Sequence, residues 1–450
     1  MKNKLHKCFF QLTKLHFFYL MLLSISFTNC MIEIPLKKVK VEGIPRHRHI
    51  KIKKIEDDFE EKKNIILIDE GTAILNANSL FLGTVTIGSN SQKFNLVLDT
   101  GSSVAWVAKV GSIDKYEIVR HFNPSTSTTS VNTKISFTLT YGTGYCKGYY
   151  YKDYFSFIGN KKFNIKFGVA DETELGVENA DGIIGLSHYY KQEEESFIHM
   201  LKNAQIIDST AFSFKFNEDK ENDEYGKMYI GKHDDFSSDN TVTCPLLTYR
   251  GEGNMFWGCQ ISGFGLRTSN YDFTSSRSYI NIIFDTGTNV ILLPIEYYRD
   301  IQNSLNKLGC TSVLKDSHYI LACLPYNEIP KLTLKINGNT FIIPSSKAFY
   351  QSGGYYISNF QFVDANIYII GSPFFLAFHT LFDKENEQLH FYPLKSDYLE
   401  IGSNYVIIIL IVAVVIALVI IFGCIIYRFI KWKKTRDLEN NFPSSDYNQA

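Results

Sequence analysis

Phe94-Asn95-Leu96-Val97-Leu98-Asp99-Thr100-Gly101-Ser102-Ser103 is echoed by Asn281-Ile282-Ile283-Phe284-Asp285-Thr286-Gly287-Thr288-Asn289. In both stretches an apolar run leads into a Thr-Gly turn that begins with a carboxylate. A second element repeats in step: Ile183-Ile184-Gly185 and Ile369-Ile370-Gly371 each end 86 residues beyond their Asp. Two coincident repeats imply two homologous lobes. Each Asp ends an apolar strand, Gly tolerates backbone geometry closed to other residues, and neighbouring hydroxyls can bond carboxylates. Such a pair of turns can hold two acids face to face.

The chain has 450 residues, of which 45% are hydrophobic and 15% aromatic, enough for large cores and inconsistent with disorder. Its N-terminus carries Lys2, Lys4 and Lys7, then an apolar run through Phe17-Phe18-Tyr19-Leu20-Met21-Leu22-Leu23, then the small residues Ser24 and Ser26. That order predicts a secretory signal peptide over 1–30. Near the other end, 405–427 contains no charged residue and is dense in Ile and Val, which predicts a membrane-spanning helix. Arg428, Lys431, Lys433, Lys434 and Arg436 follow it, whereas the preceding 396–404 carries only Asp397 and Glu400. The positive-inside rule then places the tail 428–450 in the cytosol and the bulk of the chain in a lumen or outside the cell.

Net charge is zero, but unevenly distributed: +4 over 1–30, +6 over 31–55, +2 over the tail, and by difference about −12 over 56–427. A basic leader facing an acidic body reads as a removable segment held by electrostatics. The secretory context argues against nucleic acid as its partner.

From Asn64 onward, short runs rich in Val, Ile, Phe, Tyr and Thr alternate with Gly, Asn and Ser turns, predicting an all-β architecture. Helical spacing appears briefly, at 195–202 and 295–308. The charge run 217–226 reads as a solvated loop rather than a metal site. Of eight cysteines, Cys146, Cys244, Cys259, Cys310 and Cys323 fall in the lumenal body. Cys310 with Cys323 closes a short loop and is the expected pair; Cys244 with Cys259 fits hairpin spacing, leaving Cys146 over.

Two carboxyls within hydrogen-bonding distance cannot both ionise cheaply, so they share a proton and supply an acid and a base together. In order along the chain stand Asp99-Thr100-Gly101-Ser102-Ser103 with Trp106, Phe122-Asn123-Pro124-Ser125-Thr126-Ser127-Thr128, Tyr141-Gly142-Thr143-Gly144, Ala180-Asp181-Gly182-Ile183-Ile184-Gly185-Leu186, Asp285-Thr286-Gly287-Thr288, and Ile370-Gly371 with Phe382-Asp383. This ordered set resembles the pepsin-like aspartic proteases, from the basic prosegment to the end of the body. The resemblance implies a bilobal all-β fold with a cleft between the lobes, Asp99 and Asp285 as catalytic dyad, and Ser102 and Thr288 bonding them from outside. It implies that Tyr141 sits at a flap tip with its hydroxyl on the indole N–H of Trp106, and that Gly101, Gly142, Thr143, Gly287 and Thr288 bind substrate backbone or support the dyad. Asp181 reads as structural. No cofactor and no metal are expected; the partners are protein or peptide substrates and a lipid bilayer, the chain being a monomer.

Departures from the family pattern are Asn289, where Ser or Thr is usual, Ser372, where Asp is common, and 107–121, which lacks the small disulfide loop of many relatives. The expected layout is signal peptide 1–30, prosegment 31–68, N-terminal lobe 69–222, C-terminal lobe 223–395, stalk 396–404, helix 405–427 and tail 428–450. It resembles membrane-anchored members of β-secretase-like or plasmepsin-like layout, a single-pass type I protein of the secretory route or of an acidic endosomal or vacuolar compartment. The rival readings are a catalytically silent peptide-binding protein on the same fold and a glycosidase, whose acids stand farther apart than twin symmetric turns imply.

Overall fold

The computed structural model describes residues 32–40, 65–67 and 79–440, apart from 116–117, 142–143, 158–161, 175–179, 189–195, 217–225, 232–240, 248–255, 316–317, 366–367 and 403–404. The expected signal peptide, most of the basic leader and nearly all of the charge run at 217–226 lie outside the described residues. The chain divides into two units, Met1–Glu400 and Ile401–Ala450.

The first unit is all-β, as the turn spacing predicts, and is built on two large sheets. The first hairpin shows how the sequence sets the register. Ser79–Ile87 and Gln92–Asp99 pair antiparallel through the polar turn at Gly88 to Ser91, where Gly88 at φ 90° and Ser91 at φ 55° take the left-handed backbone that reverses the chain. Beyond Gln92–Asp99 lie, in order, Gly182–Gly185, Trp106–Asp114, Phe163–Thr173, Gly144–Phe157 and the edge strand Val131–Tyr141. The second sheet repeats the central device: just as Gln92–Asp99 pairs parallel with Gly182–Gly185, Asp272–Phe284 pairs parallel with Tyr368–Ile370. The 86-residue repeat is thus a repeat of strand pairing.

On its other side the first sheet recruits distant segments. Ile32–Lys40 is inserted between Ser79–Ile87 and Gly226–Ile230, with Ile34 and Leu36 fully buried, and the sheet then runs through Phe212–Phe216 into Phe378–Asp383 and Gln388–Pro393. One hydrophobic core therefore runs continuously through both lobes. At the junction Phe212 stacks on Phe382 at 4.8 Å, and Trp257 meets both rings edge-on. Each fully buried ring removes enough apolar surface from water to stabilise the fold by about 1.5–3 kcal/mol.

Helices are few in this unit. Phe197–Asn203 starts at Ser196, whose hydroxyl accepts from His199 N. Over 295–308 the helix is α only for Ile295–Ile301 and tightens to 3-10 for Gln302–Leu308, ending at Gly309 with φ 66°. Disulfides join Cys244 to Cys259 and Cys310 to Cys323; Cys146 is a buried free thiol.

The second unit is one helix, Tyr405–Asn440, whose stretch Val412–Lys434 is long and apolar enough to cross a membrane, with a mean hydropathy of 2.7. It continues past 427, where the apolar run ends, because residues 428–440 are mostly good helix formers and the next breaker is Pro443.

Candidate active site

Asp99 closes its strand and Asp285 follows directly on the end of its own, and both are held by the turns that come after. Asp99 Oδ1 accepts from Gly101 N at 2.8 Å, and Oδ2 accepts from the Ser102 hydroxyl. Asp285 mirrors this: Oδ1 accepts from Gly287 N at 2.8 Å and Oδ2 from Thr288 Oγ1 at 2.6 Å. The sequence difference between Ser102 and Thr288 is immaterial here, since both offer a hydroxyl three residues after the acid.

The carboxyls face each other closely enough that glycine is required on both sides. A Cβ on Gly101 would lie 2.6 Å from Asp285 Oδ2, and one on Gly287 would fall closer still to Asp99 Oδ1. Gly185 and Gly371, the ends of the repeated Ile-Ile-Gly, serve the same purpose one layer below. A Cβ at Gly185 would strike the backbone of Ser103 and Val104, and one at Gly371 the carbonyls of Thr288 and Val290. Ser187 N donates to Ser102 O at 2.9 Å and Ser372 N to Thr288 O at 2.8 Å, so each dyad turn is pinned to the segment after its Ile-Ile-Gly. Ser372, one of the two departures on this side, also donates from its hydroxyl to the carbonyl of Asn289, the other, at 3.2 Å.

Beneath the acids, Thr100 and Thr286 are fully buried and interlocked. Thr100 N donates to Thr286 Oγ1 at 3.1 Å and Thr286 N to Thr100 Oγ1 at 2.9 Å; each hydroxyl in turn donates across, to Phe284 O at 2.8 Å and Leu98 O at 2.6 Å. Reading the sequence did not single out these two residues. The signal for them was present, since Thr is the one residue between Asp and Gly that both turns share.

Burial pushes the Asp99 carboxyl well above the usual carboxylate range, and the charge of Asp285 adds to this; hydrogen bonds from Ser102 and Gly101 oppose it. Two acids in one buried site hold a single proton between them. Over the first turn hangs the hairpin of Val131–Tyr141 and Gly144–Phe157, whose last pair is Tyr141 with Gly144. Trp106 Nε1 donates to Tyr141 Oη at 2.9 Å, joining the flap hairpin to the strand that follows the first turn. Burial keeps this phenol neutral, well above its ordinary pKa. Gly142 and Thr143 lie outside the described residues. Asp181 is buried beneath the strand of Asp99, accepting from Asn95 N at 2.7 Å and Arg120 N at 3.0 Å, with Arg120 Nε at 2.9 Å, and is directed away from the dyad's chemistry by these partners.

A family model described as eukaryotic aspartyl protease matches residues 80–394. Among curated proteins, cathepsin E of Aquarana catesbeiana is 26% identical over 408 residues, covering 84% of this chain and 97% of the relative. Pepsin-3 of Oryctolagus cuniculus is 27% identical over 69% of this chain and 79% of its own, and cathepsin D of Mus musculus 25% identical over 69% and 80%. With paired carboxyls on repeated turns, a flap above them and a family match over most of its length, the chain belongs to the eukaryotic aspartyl protease family.

Proposed function

We propose that the aspartic endopeptidase function of this family is active in this chain, with Asp99 and Asp285 as its dyad, in a zymogen anchored to a membrane by its C-terminal helix. The observation that carries the reading is the mutual fit of Gly101 to the Asp285 carboxyl and Gly287 to the Asp99 carboxyl, which leaves two acids in near contact, each held by one Gly N–H and one hydroxyl. A pair sharing one proton can do both halves of peptide hydrolysis. The ionised carboxylate takes a proton from an attacking water while the protonated carboxyl gives its proton to the substrate carbonyl oxygen, forming a tetrahedral diol. The carboxyl that is now protonated gives its proton to the amide nitrogen while the other, now ionised, takes one from a hydroxyl of the diol. The C–N bond breaks, a carboxylic acid and an amine leave, and the pair is again singly protonated. The hairpin that carries Tyr141, held to Trp106 through the phenol, acts as the flap that closes on an extended peptide and excludes water.

The prosegment reading is supported by the burial of Ile34 and Leu36 in the body's sheet and by the +6 charge of 31–55 against a body near −12. The anchor is supported by Val412–Lys434 and the basic residues around its end. The deciding experiment is incubation with a peptide library at pH 5, with and without a statine-type inhibitor, for the wild type and for Asp99→Ala and Asp285→Ala. Statine-sensitive cleavage that both substitutions abolish is expected. Tight binding of peptides without cleavage identifies the silent binding protein instead, and cleavage surviving either substitution overturns the dyad.

A further inference from the structure

We propose that Glu172 is a positioning residue for the flap: by binding Tyr145 and Lys147 together, it fixes the height at which the descending flap strand carries Tyr141 over the dyad. The inference rests on the protease reading for its meaning, though not for its geometry. In the sheet, Gly144–Phe157 lies between Val131–Tyr141, which is an edge strand, and Phe163–Thr173. The flap's support therefore comes from one side only, and its last part is the end of Phe163–Thr173. There Cys146 pairs with Thr173, Lys147 with Glu172, and Glu174 N donates to Tyr145 O at 2.8 Å.

Side chains alternate along a strand, so Tyr145 and Lys147 share the face opposite Cys146. Cys146 points into the small core that holds Trp106 and packs against Tyr141. On the other face, both neighbours converge on one acid. Glu172 Oε1 accepts from the Tyr145 hydroxyl, and Oε2 lies 2.7 Å from Lys147 Nζ, which stands 5.8 Å from the centroid of the Tyr145 ring. One carboxylate thus clasps positions one and three after Gly144, the residue that closes the hairpin with Tyr141. Lys147 and then Tyr145 hold the Glu172 carboxyl below the usual range, so it stays charged into mild acid.

The acid itself sits on a braced strand. Trp106–Asp114 runs parallel to it, pairing Ile113 with Glu172 and Asp114 with Thr173; Lys115 N donates to Thr173 O at 3.0 Å and Lys115 Nζ meets Glu174 at 2.5 Å. This is the stretch that lacks the relatives' disulfide loop and here forms strand instead. Two donors on a strand whose outer neighbour is the sheet's edge, and one acceptor on a strand held from both sides by longer-range partners, make an anchor with a direction: the flap moves and Glu172 stays. Exposed ion pairs contribute little to global stability. A shift of a few fold in the flap's open and closed populations needs no more than that.

The test uses the full chain in detergent, comparing wild type, Glu172→Gln, Tyr145→Phe and the charge swap Glu172→Lys with Lys147→Glu. Hydrogen exchange and peptide hydrolysis are read together, with active sites counted by titration with a tight statine inhibitor. Glu172→Gln is expected to speed exchange at 144–147 alone and to raise KM about 3- to 10-fold with kcat changed less than about 2-fold. Tyr145→Phe, which removes one hydroxyl, moves both in the same direction, and the swap recovers part of the KM. Unchanged exchange and KM in both single variants overturn the proposal, as does faster exchange across the whole lobe or without a rise in KM. A wild type that cleaves no peptide defeats the protease reading alone; exchange at 144–147 then decides for or against the anchor.

Discussion

Thr100 and Thr286, 186 residues apart in sequence, each accept the other's backbone N–H on a buried hydroxyl, at 2.9 and 3.1 Å. Each hydroxyl also donates to the carbonyl before the opposite acid, so the two turns cannot shift independently. Thr100→Val or Thr286→Val keeps shape and removes the hydroxyl, stranding a buried N–H and a buried carbonyl. Either change should lower unfolding free energy by about 1–3 kcal/mol and, because the carboxyls then lose register, reduce kcat by about 100-fold. Urea unfolding and single-turnover kinetics on the same preparations check both. A stability loss with kcat intact would mean that the grip supports the fold without aligning the acids.

Gly101 and Gly287 face opposite carboxyls at distances no Cβ can share. Gly101→Ala and Gly287→Ala should each push the acids apart and cost activity of the order lost on removing a dyad carboxyl, while far-UV circular dichroism stays that of the wild type. Gly338→Ala is the control: it lies in an open turn where an added Cβ meets nothing within 4 Å, at a φ of 78°. Its cost falls on stability through that strained φ, about 1 kcal/mol, and leaves kcat unchanged.

Much of this site was legible because its elements are short and repeated. Asp99, Asp285, Ser102 and Thr288 sit in contiguous turns, and the Ile-Ile-Gly elements at Gly185 and Gly371 lie at one interval from each acid. Pairings between distant segments leave no such signature. Nothing in Ile32–Lys40 or Gln388–Pro393 announces that both join one sheet with Ser79–Ile87, since any alternating strand fits many edges. Glu172 is equally silent in sequence, because its importance comes from register against Tyr145 and Lys147. The Asp181 carboxyl was read as structural, and its backbone partners at Asn95 and Arg120 give the reason.

Ser102 offers a way to move the dyad's titration without touching its carboxyls. Its hydroxyl stabilises ionised Asp99, opposing the burial and the Asp285 charge that raise that group. Ser102→Ala removes the opposing bond, so the Asp99 proton is held to higher pH. The alkaline limb of kcat/KM, where the last shared proton is lost, should therefore move upward in the variant. A downward shift, measured from pH 3 to 8 on one substrate, reverses the sign and rules out this account of the hydroxyl.

His188 ties pH to the stability of the body itself. It lies three residues beyond Gly185, buried, with its Nε2–H donating to Phe256 O at 2.9 Å and its ring edge-on to Trp257 at 4.8 Å; Trp257 Nε1 donates back to Leu186 O at 2.9 Å. Burial, with Lys384 nearby, lowers its pKa from 6.5 to about 4, and Glu387 only partly offsets this. Unfolded, the imidazole takes a proton near pH 6.5; folded, it refuses one until about pH 4. Between these values the unfolded chain binds more protons, so stability falls as pH falls, by about 3 kcal/mol across the window. His188→Gln keeps a donor for Phe256 O and does not titrate. Urea midpoints of the detergent-solubilised chain should thus fall less between pH 7.5 and 4 in the variant than in the wild type, the curves converging at neutral pH if the glutamine packs equally well. Parallel curves would show that His188 is protonated at no cost to the fold. If the slope difference is present, a protein proposed for an acidic compartment carries one buried base that loosens the seam around Trp257 under those conditions, beside a dyad whose shared proton the same acidity preserves.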